Sequence, residues 1–151
     1  MRLYYLFGQL LRPLMALGFY IYNHLTHRPR ARVVVRNEYG EFLLVRNWGG
    51  LRSWGLSGGG VERGERPVEA ARRELNEEVG IDVPIERFEY LTTLEAGYPA
   101  PIYVVTVVRG DLPALPHNPW EITHVAWFSA DNLPLLSPLT KKILSFMADQ
   151  V

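Results

Sequence analysis

An α/β domain is what this sequence predicts, on three observations. Strand-like and helix-like runs share one chain of 151 residues. The hydrophobic period along it changes from two to about 3.6 and back. The apolar fraction, 48%, with 21% charged residues, suits a chain that buries a core. A chain of this length forms one domain without needing staples. It has no Cys, which excludes disulfides and thiolate metal sites.

Residues 1–30 form an apolar, basic N-terminal segment. Arg12 and Pro13 divide it into two uncharged runs, each nearer half of the roughly 20 residues that a spanning helix needs. An arginine in mid-span is also costly, and no small-residue cleavage site follows the apolar run. The segment reads as a helix packed on its own domain or on a second copy in a homodimer. The competing reading is a peripheral membrane anchor through residues 3–22. The expected location is cytoplasmic, with or without that membrane contact. "HRPRA" reads as a linker, which places the folded domain at 31–151.

From there the elements follow in order. Runs at 33–35 and 42–45 flank "NEYG", a turn with Gly40 as its permissive residue, and read as a hairpin. "GGLRSWGLSGGGVERGERP" is too rich in glycine for regular structure and ends in Pro67, a residue favoured at the first helical position. A helix is predicted over 67–79, closed by Gly80. "FEYLTTL", "IYVVTVV" and "EITHVAWF" read as strands, the last two separated by the proline-rich "GDLPALPHNP". "SPLTKKILSFMAD" reads as a closing helix capped by Ser137.

The net charge is zero, 16 basic against 16 acidic residues, but it is unevenly spread. Six arginines and no acid precede Glu38. A nucleic-acid footprint would place the basic excess on the folded body, so nucleic acid is not an expected partner. Six of the 16 acids lie between Glu62 and Glu78. On the 67–79 helix, at about 100° per residue, Val68, Ala71, Leu75 and Val79 share one stripe, and Glu74, Glu77 and Glu78 form an acidic stripe beside it. Glu74 and Glu78, at i and i+4, repel each other by a few tenths of a kcal/mol. Two things could offset this. Arg73 can pair with Glu77 four residues on, or a hard cation such as Mg²⁺ can bind the carboxylate oxygens. Taken alone, "RRELNEE" reads as a solvated face. The preceding "GGGVERGE", whose glycines let backbone approach a ligand, shifts the reading toward a metal site.

The spacing Gly59, five residues, Glu65, seven residues, then Arg73, Glu74, Leu75, Asn76, Glu77, Glu78, Val79, Gly80, Ile81 resembles the Nudix box at every defined position. The resemblance extends more loosely over residues 31–148. It implies the Nudix fold, a mixed β-sheet sandwiched between helices, here with an extra apolar N-terminal segment. It also implies metal-dependent hydrolysis of a nucleoside diphosphate linked to another group. Carried over residue by residue, it makes Glu74, Glu77 and Glu78 ligands of Mg²⁺ or Mn²⁺, with the Gly59 carbonyl as a further candidate. Arg73 would orient a box glutamate, and Glu65 would hold the loop against the helix. The catalytic base would be Glu74 or Glu121, the latter in "WEITHVAWFS". Two positions depart from the common family pattern. Ser57 stands where Pro is usual, expected to alter loop stiffness. Arg66 stands where a capping Thr or Ser is usual, expected to weaken the helix start.

The expected partner is a small-molecule nucleotide. Arg46, Arg52 and Trp54 are the candidate substrate contacts, Trp54 because it precedes the glycine loop and Arg46 because it ends a strand. Trp48, Tyr98, Tyr103 and Trp120 are further aromatics able to stack on a base. A function of another class remains open: a nucleotide sensor that binds without hydrolysis, at a membrane or not.

Overall fold

Three consecutive valines fix the centre of the fold. Val33, Val34 and Val35 are each at most 1% exposed, so both faces of their strand are covered, as in the middle of a sheet between two layers. The computed structural model describes residues 28–47, 52–108 and 121–149. The anchor and homodimer readings for the N-terminal segment, the proline-rich loop, Trp48 and Trp120 lie outside the described residues.

The strands are β1 (Arg32–Asn37), β2 (Phe42–Asn47), β3 (Glu89–Glu95), β4 (Pro99–Val107) and β5 (Ile122–Phe128), and the helices are α1 (Pro67–Val79) and α2 (Pro138–Ala148). They form one five-stranded sheet in the order β3-β4-β1-β2-β5. β1 runs parallel to β4, pairing Arg32 with Ile102 through Asn37 with Val107, while every other pair is antiparallel. The sheet is therefore mixed.

The β1–β2 turn closes as its sequence suggests. Gly40 takes a φ of 76°, and the Asn37 side-chain oxygen accepts from the backbone N–H groups of Tyr39 and Glu41 at 3.0 and 2.9 Å. One sheet face, with Val33, Val35, Leu43 and Val45, packs against Ala70, Ala71, Leu75 and Val79 of α1. The other, with Val34, Leu44, Ile102 and Val104, packs against Ile143 and Leu144 of α2. The predicted stripe on α1 is thus its core stripe, and the sheet lies between helices.

β4 begins earlier than its sequence suggests and takes in Pro99 and Pro101. They lie opposite Glu95 and Thr93 of β3, and on the β1 side the ladder begins only at Ile102, the Pro99 carbonyl accepting from the Arg30 N–H before it. A residue without an N–H is tolerated at the start of a strand, ahead of the regular ladder, where its carbonyl can still be used. The start of α1 also differs in detail. Arg66 supplies no cap acceptor; instead Glu69 reaches back and accepts from the Arg66 N–H at 2.8 Å, while the Arg66 guanidinium binds the same carboxylate. Half of a capping box is present. Gly80 ends α1 in the left-handed conformation, and Ser137 caps α2 by accepting from the Thr140 N–H at 3.3 Å. No described helix is long and apolar enough to cross a membrane.

Candidate active site

The glycine loop is laced onto the N-terminal edge of β1. The Val33 N–H donates to the Ser57 carbonyl at 2.9 Å, the Val61 N–H donates to the Pro29 carbonyl at 2.9 Å, and the Arg32 guanidinium donates to the Gly58 carbonyl. Approach this close requires glycine. A Cβ on Gly58, whose φ is 136°, would lie 2.1 Å from the Ala31 carbonyl oxygen. The stretch read as a linker is part of this lacing: the Arg30 N–H donates to the Pro99 carbonyl at 3.0 Å, and Ala31 is fully buried.

α1 presents its glutamates to the loop at different depths. Glu78 is 2% exposed. Its Oε2 accepts from the Ser57 hydroxyl at 2.5 Å and from the Gly58 N–H at 2.9 Å. Both of these bonds fall on one oxygen, and Glu78 lines the adjacent cleft. Burial pushes its carboxyl up to about 7 against these two hydrogen bonds, which favour the charged form. Glu74 is half-buried one turn earlier. Burial raises its pKa, the Arg73 hydrogen bond opposes the shift, and the charges of Glu77 and Glu121 add to it. Glu77 points outward, its side chain 56% exposed, and pairs with Arg73 at 3.4 Å.

Arg73 ties the loop to the helix. Its guanidinium donates to both oxygens of Glu65 at 2.9 and 3.1 Å, to Glu74 Oε1 at 2.9 Å and to the Gly60 carbonyl at 3.0 Å. The bidentate pair is the strong geometry for an arginine and a carboxylate. It raises the Arg73 pKa and holds Glu65 below the usual carboxylate range.

Glu74, Glu78 and Glu121 face a cleft of about 470 Å³ floored by the glycine loop. Arg28, Arg30 and Arg32 line it as well, together with Asn47 and Arg73. Acid and base therefore meet in one concave surface. A family profile described as NUDIX domain matches residues 26–150, which is most of the chain. The chain belongs to the Nudix hydrolase family.

Among curated relatives, this Nudix domain is 32% identical over 110 residues to the NAD-capped RNA hydrolase NudC of Yersinia enterocolitica, covering 70% of this chain and 41% of that one. It is 32% identical over 92 residues to the RNA pyrophosphohydrolase of Cellvibrio japonicus, covering 60% of this chain and 45% of that one. The chain thus spans less than half the length of the curated relatives it matches. Among solved structures, the MutT NUDIX hydrolase of Burkholderia pseudomallei superimposes with a TM-score of 0.66 at 28% identity, over 78% of this chain and 95% of that one.

The fold brings together some of the residues singled out in the sequence and separates others. Gly59, Glu74, Glu78, Glu121 and Arg73 line the cleft of the Nudix domain, whereas Glu77 and Glu65 meet it only through Arg73. Arg46 and Trp54 are not at the cleft. Arg46 shares the strand face of Leu44, toward α2, since side chains two apart on a strand point the same way. There it lies 5.6 Å from the Trp54 ring and bonds to His124 at 2.8 Å, while Trp54 packs edge-on against Phe128. Arg52 is exposed, with a positive φ of 54°. Cleft residues that the sequence reading does not single out are Asn47 and the row Arg28, Arg30, Arg32. The row did carry a signal: basic residues at every second position, the strand period. Ser57 does more than alter loop stiffness, since its hydroxyl grips Glu78.

The raised Glu78 pKa has a consequence for stability. Between the ordinary carboxylate value of 4.5 and about 7 the folded Nudix domain holds a proton that the unfolded chain releases. The corresponding stabilisation, roughly 1–3 kcal/mol, is complete below the lower value and lost as pH rises through the upper one. In chelator-containing buffer, the melting temperature of Glu78→Gln is expected to fall less between pH 5 and 8 than that of the native protein. Parallel curves for the two proteins would contradict the assignment of this decline to Glu78.

Proposed function

We propose that this domain hydrolyses the diphosphate bond of a nucleoside diphosphate linked to another group, with Mg²⁺ or Mn²⁺ held by Glu74 and Glu78. The observation that carries the reading is the meeting of Glu74, Glu78 and Glu121 with the Gly59 backbone in one cleft. The donor chemistry fits. Among the described residues no three acidic or histidine side chains form a ready metal cage. Mg²⁺ does not call for one, since it commonly binds one or two carboxylates and completes its shell with phosphate oxygens and water. A half-buried and a buried carboxylate whose pKa values are raised by desolvation are groups that a cation would stabilise in the charged form. Glu77, turned outward to Arg73, fits an outer role better than a direct one.

When bound, the cation supplies neutralisation of phosphate charge and acidification of a coordinated water. The chain's own residues do the rest. Ser57 and the Gly58 N–H fix the Glu78 carboxylate by one oxygen. Arg73 fixes Glu74 and in turn is fixed by Glu65. Glu121 is the base we favour for the proton of the attacking water, which its exposure and its charge effect on Glu74 support. Glu74 is the other candidate base, less suited because its Oε1 already accepts from Arg73.

The relatives' names, NAD-capped RNA hydrolase and RNA pyrophosphohydrolase, support including NAD-capped RNA and RNA bearing a pyrophosphate among the substrates to be tried, beside nucleoside triphosphates, nucleotide sugars and ADP-ribose. The test is a panel of these compounds incubated with purified protein and Mg²⁺ or Mn²⁺. Release of phosphate-bearing products from at least one compound is expected, abolished by chelator. Tight binding of a nucleotide with no turnover of any compound would favour the sensor instead.

A further inference from the structure

The two carboxylates proposed to hold the cation are each gripped by the chain through one oxygen. Glu74 Oε1 accepts from Arg73 at 2.9 Å. Glu78 Oε2 accepts from the Ser57 hydroxyl at 2.5 Å and from the Gly58 N–H at 2.9 Å, and among the described residues no hydrogen bond falls on its Oε1. Ser57 holds that oxygen firmly because it is itself fixed. It is 2% exposed, and its carbonyl accepts from the Val33 N–H at 2.9 Å, which ties it to the centre of the sheet. The Gly58 carbonyl next to it takes the Arg32 guanidinium. A rigid line thus runs from β1 through Ser57 and ends on one carboxylate oxygen. Ser57 is also a position where this chain departs from the common Nudix pattern, and a proline there would have no hydroxyl to donate.

From this geometry we infer that Ser57 is a positioning residue that sets cation selectivity: by occupying Glu78 Oε2 it leaves a single oxygen, Oε1, to face a cation, and so favours Mg²⁺ and Mn²⁺ over Ca²⁺. The inference rests on the metal site proposed for Glu74 and Glu78, and not on the identity of the substrate. Its physical basis is the difference between the cations. Ca²⁺ takes about six to eight oxygens at roughly 2.3–2.6 Å in a flexible shell, often both oxygens of one carboxylate. Mg²⁺ demands an octahedron at about 2.0–2.1 Å and is satisfied by one or two carboxylates with water and phosphate. Mn²⁺ shares its preference for an octahedron of oxygens. A buried carboxylate with one oxygen tied to the sheet does not swing to present both. Two carboxylates so held supply few protein oxygens, which suits the octahedral ions and leaves Ca²⁺ short of ligands. Without the Ser57 hydroxyl, Oε2 keeps only the Gly58 N–H, and the Glu78 carboxylate gains freedom to turn.

The test is Mn²⁺ binding to the full chain by electron paramagnetic resonance, with Ca²⁺ and Mg²⁺ affinities taken from competition against the Mn²⁺ signal. The native protein is expected to bind Mn²⁺ at least tenfold more tightly than Ca²⁺. In Ser57→Ala, Mn²⁺ affinity should fall about tenfold, the lower end of the range for losing a group that supports a metal ligand. Ca²⁺ affinity should fall less than threefold, so the preference narrows. Ser57→Cys, a weaker donor in nearly the same place, should lie between the two. Should Ser57→Ala fail to fold, Ser57→Cys carries the test with a threefold narrowing. A hydroxyl that serves only the fold would, when removed, lower the melting temperature in chelator and weaken both cations by the same factor. That outcome overturns the inference, as does a native protein that binds Ca²⁺ as tightly as Mn²⁺, or a preference unchanged in both variants. If no compound is hydrolysed yet the preference for Mn²⁺ depends on Ser57, the hydrolase reading fails and the selectivity role stands. If a compound is hydrolysed and the preference does not depend on Ser57, the selectivity role fails and the hydrolase reading stands.

Discussion

Glu78→Gln is expected to lower kcat for diphosphate hydrolysis by on the order of 100-fold or more while the protein stays folded. The magnitude follows from comparison: replacing a group that merely supports a metal ligand costs about 10–100-fold, so losing the ligand charge itself costs at least the upper end. The substitution is nearly isosteric, and the amide oxygen can still accept from Ser57 and the Gly58 N–H. It removes a carboxylate that is costly to bury, so the apo fold loses little. The measurement is kcat and KM against Mn²⁺ concentration, with Mn²⁺ affinity determined separately by electron paramagnetic resonance. Loss of both activity and Mn²⁺ affinity supports Glu78 as a ligand. Full activity in Glu78→Gln would mean that the metal site has been placed wrongly.

Two neighbouring glycines are expected to fail in opposite ways. Gly58→Ala should prevent stable folding, because its Cβ would stand 2.1 Å from the Ala31 carbonyl oxygen at a φ of 136°. Backbone lies on both sides of that clash, so neither party can swing away. Overpacking and the disfavoured dihedral together should cost about 3 kcal/mol or more. Gly59→Ala should fold but lose activity. Its Cβ would meet the Glu74 carboxylate at 2.3 to 2.6 Å, and a side-chain end can move. Moving it breaks the Arg73–Glu74 hydrogen bond and shifts a cleft carboxylate by about an ångström or more, a displacement that costs on the order of 100-fold in rate. Thermal melts and steady-state kinetics on the two variants separate the effects. A stable, active Gly59→Ala protein would show that Glu74 has no positional role.

These expectations draw unequally on sequence and structure. The core stripe of α1, the hairpin at Gly40 and the Ser137 cap were legible because each depends on residues close in the chain: a helical period, a positive φ, a hydroxyl three residues before an N–H. The glutamate spacing was equally local, and one helix fixes which carboxylates share a side. The early start of β4 is not legible because Pro99 and Pro101 look like breakers, and only the fold shows that the ladder with β1 begins after them, at Ile102. That Arg46 and Trp54 do not line the cleft was not legible for a similar reason. Arg46 ends a strand as expected, but the face it shares depends on which helix packs on Leu44.

By itself the sequence determined the family, the order of elements, and the acidic stripe that meets a glycine loop, since all of these rest on spacing along one segment. Only the tertiary structure decided that Glu78 is buried against Ser57 while Glu77 faces outward, that Glu121 comes back beside Glu74, and that Arg28 and Arg30 stand across the same cleft. Those relations join residues from the strand entry, the loop, α1 and the residue before β5. No period within one segment encodes them, because they arise from the way the sheet seats the glycine loop between β1 and α1.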